Sequence, residues 1–239
     1  LTFWNLIIKK KVNTLWLTPT ILTILTKLKI NNSVTKWSKK NVKKIFVGTS
    51  SLSEITKKKF DEKFGVNSLE SYGMTECMLI SVSKPTDVNI NSVGYPLPGV
   101  NCKIRNIKKN ITSTNSIGDI WVKSNFLMKG LINSTNGKIK KINTSMWFNT
   151  GDIGFKDKKG RLFITDRKKD IIIKGGINIS PRTIENALLS FPDISETAVI
   201  AAPSKIWGQE INAYIIPRKN TDINLKDLKY YCEKYLSKN

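Results

Sequence analysis

The sequence predicts an α/β layer, then a small β subdomain, then a small α+β domain at the C-terminal end. Three observations predict it. Up to about residue 91, apolar runs of strand length alternate with amphipathic stretches of helical period. From about residue 92, glycine and proline break the chain into short strand-like pieces, and after Asp166 strand and helix patterns alternate again. The expected domains are therefore residues 1–166, with the α/β layer over 1–91 and the β-rich subdomain over 92–166, and residues 167–239.

Taken in order, residues 1–8 are apolar and run into Lys9, Lys10 and Lys11, a pattern that reads as part of a helix and not as a secretory leader. Residues 12–18 (VNTLWLT) read as a buried strand. Thr18-Pro19 opens an amphipathic helix to about Leu28, because proline in the first turn lacks only an N–H that would be unpaired anyway. Residues 44–47 (KIFV) form a second strand that ends in Gly48-Thr49-Ser50-Ser51. Ser53 is expected to cap a helix to Phe64, with Glu54 in its first turn and Gly65 as its stop. Gly94, Pro96, Pro98 and Gly99 then punctuate segments such as NCKIRNI, GDIWVKS and GRLFITD. The tail reads as strand DIIIK, the pair Gly175-Gly176, a helix from Ser180-Pro181 to Ser190, strands ETAVIAA and INAYIIP, and a helix from about Leu225 to Leu236. Asp166 to Asp170 (DRKKD) is the expected hinge before that tail.

Composition excludes several functions. There is no histidine, which removes the commonest general base and metal ligand, and with them hydrolase triads and His-based metal centres. Cys77, Cys102 and Cys232 are odd in number and far apart, so they form neither a disulfide framework nor a zinc set, and a reducing cytoplasm is the expected setting. No apolar run reaches the roughly 20 residues that span a bilayer, so no transmembrane segment is expected. The net charge of +22 suits an anionic partner, but only five of the 40 basic residues are Arg. The lysines are scattered, so no specific nucleic-acid surface is expected; a basic nucleic-acid binder would instead show salt-sensitive retention of DNA or RNA.

Three segments carry chemistry: SYGMTE at 71–76, WFNTGD at 147–152, and GRLFITDRKKD at 160–170 running on into IIIKGGINI. Residue type alone leaves alternatives open. SYGMTE also suits a strand end with a glycine turn, NTGD an ordinary Gly-Asp turn, and Gly175-Gly176 a plain hairpin turn. Their order and spacing, with SVGYPLPG between the first two and PRTIENAL, AVIAAP and WGQEINAYIIP after the last, resemble the adenylate-forming (AMP-binding) superfamily, in its acyl-CoA synthetase form, over nearly the whole chain.

The resemblance implies a partial adenylate-forming enzyme fold and an AMP-forming acid–thiol ligase. Such an enzyme uses ATP to turn a carboxylic acid into an acyl-adenylate and passes the acyl group to CoA, with Mg²⁺ on the phosphates. By the same resemblance Tyr72, with Gly73, packs on adenine, Thr75 hydrogen-bonds phosphate and Glu76 is the Mg²⁺ ligand. Asp152 accepts from the ribose hydroxyls and Arg167 reaches ribose or phosphate. Gly48, Thr49 and Ser50, with Ser51, stand where the family has a loop lining the adenine and acyl sites, although that loop usually reads Gly-x-Ala-Pro or Gly-x-Ala-Glu. Lys169 aligns with a pivot on which the small domain turns between half-reactions, and Gly175 and Gly176 line a pantetheine channel. DRKKDIIIKGG resembles fatty-acid and aryl-acid CoA ligases more than amino-acid-activating domains. The alternative acceptor is a phosphopantetheinyl carrier protein loaded by an adenylation module. The family's phosphate loop is expected before Leu1 and its adenylation lysine beyond Asn239, so this stretch alone is expected to give negligible acid activation.

Overall fold

The computed structural model describes residues 2–50, 52–87, 91–106, 113–219 and 221–236. Two compact units divide the chain, one of residues 1–150 and 154–164, the other of 151–153 and 165–239.

The first unit begins with α1 (Thr2–Lys9), β1 (Thr14–Leu17), α2 (Pro19–Lys27), α3 (Asn32–Asn41), β2 (Lys44–Val47), α4 (Glu54–Phe64), β3 (Ser68–Met74), β4 (Met78–Val82) and β5 (Tyr95–Pro96). Its sheet has the order β1-β2-β3-β4-β5. The pairs β1/β2 and β2/β3 are parallel, while β4 returns antiparallel along β3 and β5 along β4. β3 is buried continuously over residues 68–72, as a strand covered on both faces must be. Trp4, Leu22, Ile45, Val47, Phe60 and Phe64 pack in the core beside β1 and β2. Phe60 and Phe64 are fully buried, each contributing roughly 2 kcal/mol of apolar burial.

Local chemistry sets the helix ends. The Thr18 hydroxyl accepts from the Ile21 N–H, and Pro19 opens α2 as expected. Gly65 ends α4 in the left-handed region at φ 63°. Ser53 stands at the N-cap of α4, but its side chain makes no capping hydrogen bond, which corrects the expected cap. Helix α3 was not legible, because NSVTKWSKKN offers only Val34 and Trp37 as apolar anchors. It is fastened instead by a buried polar contact, the Ser38 hydroxyl donating to the Phe64 carbonyl at 2.9 Å.

The β-rich part follows: β6 (Val100–Arg105), β7 (Gly118–Ser124), β8 (Gly130–Ile132), β9 (Ile139–Lys141), β10 (Phe148–Lys156) and β11 (Leu162–Arg167). β11-β10-β7-β6 make one four-stranded sheet, and β8-β9 a separate two-stranded one. Inward alternation gives a second core of Tyr72, Cys77, Ile80, Ile104, Ile120, Val122 and Leu162.

The second unit continues with a 3-10 turn at Lys168–Asp170, then β12 (Ile172–Lys174), β13 (Ile177–Ile179), α5 (Pro181–Leu189), β14 (Ile194–Ser204), β15 (Gly208–Pro217) and α6 (Leu225–Tyr235). Its sheet order is β13-β12-β15-β14, and its own core holds Ile172, Leu188, Phe191, Ile194, Val199 and Leu228. Among the described residues no helix is long and apolar enough to cross a membrane.

Candidate functional site

In a parallel sheet the carboxyl ends of the strands are where loops gather and ligands bind. Two nominated segments meet at that end of the first unit. Gly48 closes β2 and lies against Ser71 of β3: a Cβ on Gly48 would sit 2.5 Å from the Ser71 Oγ and 3.0 Å from its carbonyl oxygen. The Ser71 hydroxyl donates to the Val47 carbonyl at 3.0 Å, so the two strand ends are tied side by side. Thr49 follows at φ 81°, a region where a β-branched residue is strained, and both Thr49 and Ser50 are exposed. Ser51 lies outside the described residues.

On the neighbouring strand Tyr72 is only 7% exposed and packs in the second core. The β3/β4 pairing shifts register between Tyr72 and Gly73, and a Cβ on Gly73 would collide with the Met78 carbonyl oxygen. Only glycine fits there. The bulge swings the chain into a turn that carries Thr75, exposed, and Glu76, half-buried. The turn is held at both ends: the Cys77 N–H donates to the Met74 carbonyl at 3.1 Å, and the Met128 N–H to the Glu76 carbonyl at 2.7 Å.

The second unit brings two further nominated residues together. Asp152, on β10, accepts from the Arg167 Nε at 3.1 Å; the carboxylate side chain is 6% exposed and the arginine 57%. The buried carboxylate is thus bound by an arginine whose side chain is largely in water. Lys169 is exposed in the 3-10 turn that follows.

Gly175 and Gly176, at φ 57° and 83°, make the two-residue turn between β12 and β13, with Lys174 opposite Ile177. Gly175 is also close-packed. Its N–H donates to the Trp207 carbonyl at 2.9 Å, and a Cβ would sit 3.0 Å from the Trp207 ring, whereas Gly176 faces open space.

Sequence reasoning passed over Asp166 and Trp207 as individual site residues. Asp166 is buried at 8% exposure beside the start of α5, and burial pushes its carboxyl above the usual range, against hydrogen bonds from Ser180 and Arg182 that pull it down. Its position at the head of DRKKD was the available signal. Trp207 stands half-exposed over the glycine turn, and its signal was the aromatic residue next to Gly208 in WGQE.

In the first unit the Thr75 hydroxyl and the Glu76 carboxylate, and in the second the Asp152 carboxylate with the Arg167 guanidinium, are groups of the kinds that hydrogen-bond hydroxyl and phosphate oxygens. A protein-only metal cage is a different matter: among the described residues no group of three or more Cys, Asp or Glu could form one. Glu76 suits Mg²⁺, which commonly takes one or two carboxylates and completes its shell with phosphate and water.

Comparisons with known proteins give the family and the fold. The family model described as AMP-binding enzyme matches residues 1–132, and that described as AMP-binding enzyme C-terminal domain matches residues 183–238. An oxalate–CoA ligase of Arabidopsis thaliana is 33% identical over 99% of this chain and 46% of its own length. A 2-succinylbenzoate–CoA ligase of Lactococcus lactis is 38% identical over 83% of this chain and 40% of its own. The chain thus spans about half the length of the curated relatives it matches. Among solved structures, ATP-bound MatB of Rhodopseudomonas palustris superposes with a TM-score of 0.86 at 26% identity, over 99% of this chain and 46% of that one. The o-succinylbenzoate CoA synthetase of Bacillus subtilis, in complex with its acyl-adenylate intermediate, gives 0.81 at 28%, over 99% and 47%.

Proposed function

Because this chain belongs to the family of AMP-binding enzymes, we propose that it serves the ATP-dependent activation of a carboxylic acid and transfer of the acyl group to CoA. The observation that carries the proposal is the contact of Gly48, at the end of β2, with Ser71 of the adjacent strand β3, which runs on through Tyr72 and Gly73 into the Thr75-Glu76 turn.

In this reading a carboxylate oxygen attacks the α-phosphorus of ATP, the bond to pyrophosphate breaks, and a thiol later attacks the acyl carbonyl and displaces AMP. Tyr72, fixed by burial, offers the adenine one immobile surface beside Gly73. The Thr75 hydroxyl would donate to phosphate, and Glu76 would hold Mg²⁺. Bound there, the metal would offset phosphate charge. Asp152 accepts from the ribose hydroxyls, and Arg167, already on Asp152, has guanidinium donors left for ribose or phosphate. Lys169 is the pivot. Gly175, packed against the Trp207 ring, and Gly176, which faces open space, would present backbone without side chains to the thiol arm. The named relatives are CoA ligases, which favours CoA over a carrier protein as acceptor. A cytoplasmic setting suits three free cysteines.

The first test is nucleotide binding by the 239-residue chain. AMP should bind, and Asp152→Ala should weaken it about tenfold or more, the loss of a charged hydrogen bond. Glu76→Gln should weaken ATP with Mg²⁺ and leave AMP unchanged. A chain that binds no adenine nucleotide refutes the reading. Joining to this chain the segments of a relative that lie outside the matched stretch and screening acids for pyrophosphate release, then for CoA consumption, would identify the substrate.

A further inference from the structure

Between Ile120 and Gly151 the chain carries five lysines and no acidic residue. β8 and β9 lie in this stretch, pairing Gly130 with Lys141, Leu131 with Lys140 and Ile132 with Ile139. Cross-strand partners share a face, so Ile132 and Ile139 stand together on one side and Leu131 beside Lys140 on the other. Neither face enters a core. Leu131 is 50% exposed, Ile139 64% and Ile132 72%, and every residue from 131 to 141 is exposed.

A bare two-stranded hairpin is marginal in water, yet this one is braced at both ends. At its foot the Ile142 N–H donates to the Lys129 carbonyl at 2.9 Å. At its tip the Asn133 N–H donates to the Lys138 carbonyl and the Gly137 N–H to the Asn133 carbonyl, each at 2.9 Å. The Asn133 side-chain oxygen accepts from the N–H groups of Thr135 and Asn136, and Gly137 takes φ 68°. Backbone and asparagine contacts thus hold three aliphatic side chains out in solvent, with Lys129, Lys138, Lys140 and Lys141 around them.

From this we infer that the β8–β9 hairpin is a docking element for an anionic lipid bilayer. Exposed aliphatics ringed by lysines match the headgroup boundary, where the apolar side chains enter and the ammonium groups stay level with acidic headgroups. A nucleic acid would satisfy the lysines but offers nothing to three aliphatics, and the hairpin has no aromatic residue on which a base could stack. The hairpin is also wired inward: Met128, two residues before β8, donates its N–H to the Glu76 carbonyl. Docking would hold that turn a few residues from a phase in which amphiphilic acids collect. The inference does not depend on the proposed catalytic function.

The test is co-sedimentation of the chain with phosphatidylcholine vesicles, with and without phosphatidylglycerol. Binding is expected only with phosphatidylglycerol. Lys138→Gln, Lys140→Gln and Lys141→Gln combined should lower partitioning about a hundredfold, at about fivefold per lysine. The same change at Lys9, Lys10 and Lys11, which are also exposed, should lower it much less. Ile132→Asn with Ile139→Asn should release the chain from vesicles, and Leu131→Asn should weaken binding independently; these side chains are exposed, so circular dichroism should be unchanged. Three results overturn the inference: no binding to anionic vesicles, equal losses from the two lysine sets, or binding that survives both sets of aliphatic changes, which would mark a mere polyanion site.

Discussion

Gly73 shows how a single missing side chain shapes the candidate site. Its Cβ position is taken by the Met78 carbonyl oxygen, a backbone atom that cannot rotate away. Gly48 is crowded chiefly by the Ser71 hydroxyl, which can turn, although the Ser71 carbonyl lies 3.0 Å off. Gly73→Ala is therefore expected to cost about 1–3 kcal/mol, more than Gly48→Ala, with nucleotide affinity falling in parallel; denaturant titration of both variants checks the order. Asp166 makes a pH prediction. Its folded pKa is raised above the unfolded value, so its contribution to stability is fully present below the unfolded pKa and is lost as pH rises through the folded one. Asp166→Asn should accordingly gain on the wild type at neutral pH, and the gap should close as pH falls below about 4. Thermal midpoints of the pair across pH test the sign. Tyr72 and Glu76 were nominated through the resemblance of SYGMTE to the family motif, since residue type alone also suits a strand end with a glycine turn. The bulge that separates them could not be found in that way, since it arises from a pairing mismatch with another strand.

Among the elements, β3 matters most, and α4 secures it. Lys57 of α4, with its side chain 11% exposed, donates to the Asp61 carboxylate at 2.8 Å, to the Ser68 Oγ at 3.0 Å and to the Ser68 carbonyl. Asp61 in turn accepts from the Ser68 N–H at 2.9 Å. This clamp sets where β3 begins. Lys57→Met would strand a partly buried carboxylate and a carbonyl, and a loss of about 3 kcal/mol is expected in chemical denaturation. Lys57→Met with Asp61→Leu should recover part of it, because no unpaired charge remains. Most strands and helices could be found from period and punctuation, with α2, β2, α4, α5, β15 and α6 close to where the pattern puts them. The exceptions have a common cause. α3 is held by Ser38 on the Phe64 carbonyl, and β8 and β9 by each other and their turn, so neither shows the apolar stripe that periodicity detects.

For the molecule as a whole, three cores that share no member among the described residues argue against a single unfolding step: two lie in the first unit and one in the second. Calorimetry should show a transition broader than two-state, with Gly73→Ala lowering the part that belongs to the first unit and Asp166→Asn at neutral pH raising the part that belongs to the second. A single two-state peak that moves as one with either variant would contradict independent cores. The resemblance of three ordered motifs was enough to point to the family, and local period and punctuation to the α/β, β-rich and α+β succession, because both are written in residues close together along the chain. Folding in three dimensions was needed to seat Gly48 against Ser71, to lay Arg167 on Asp152, and to leave three aliphatic side chains in water on a braced hairpin. Each of those is a contact, or a want of one, between residues distant along the chain, and local pattern carries no record of which distant backbone will arrive beside it.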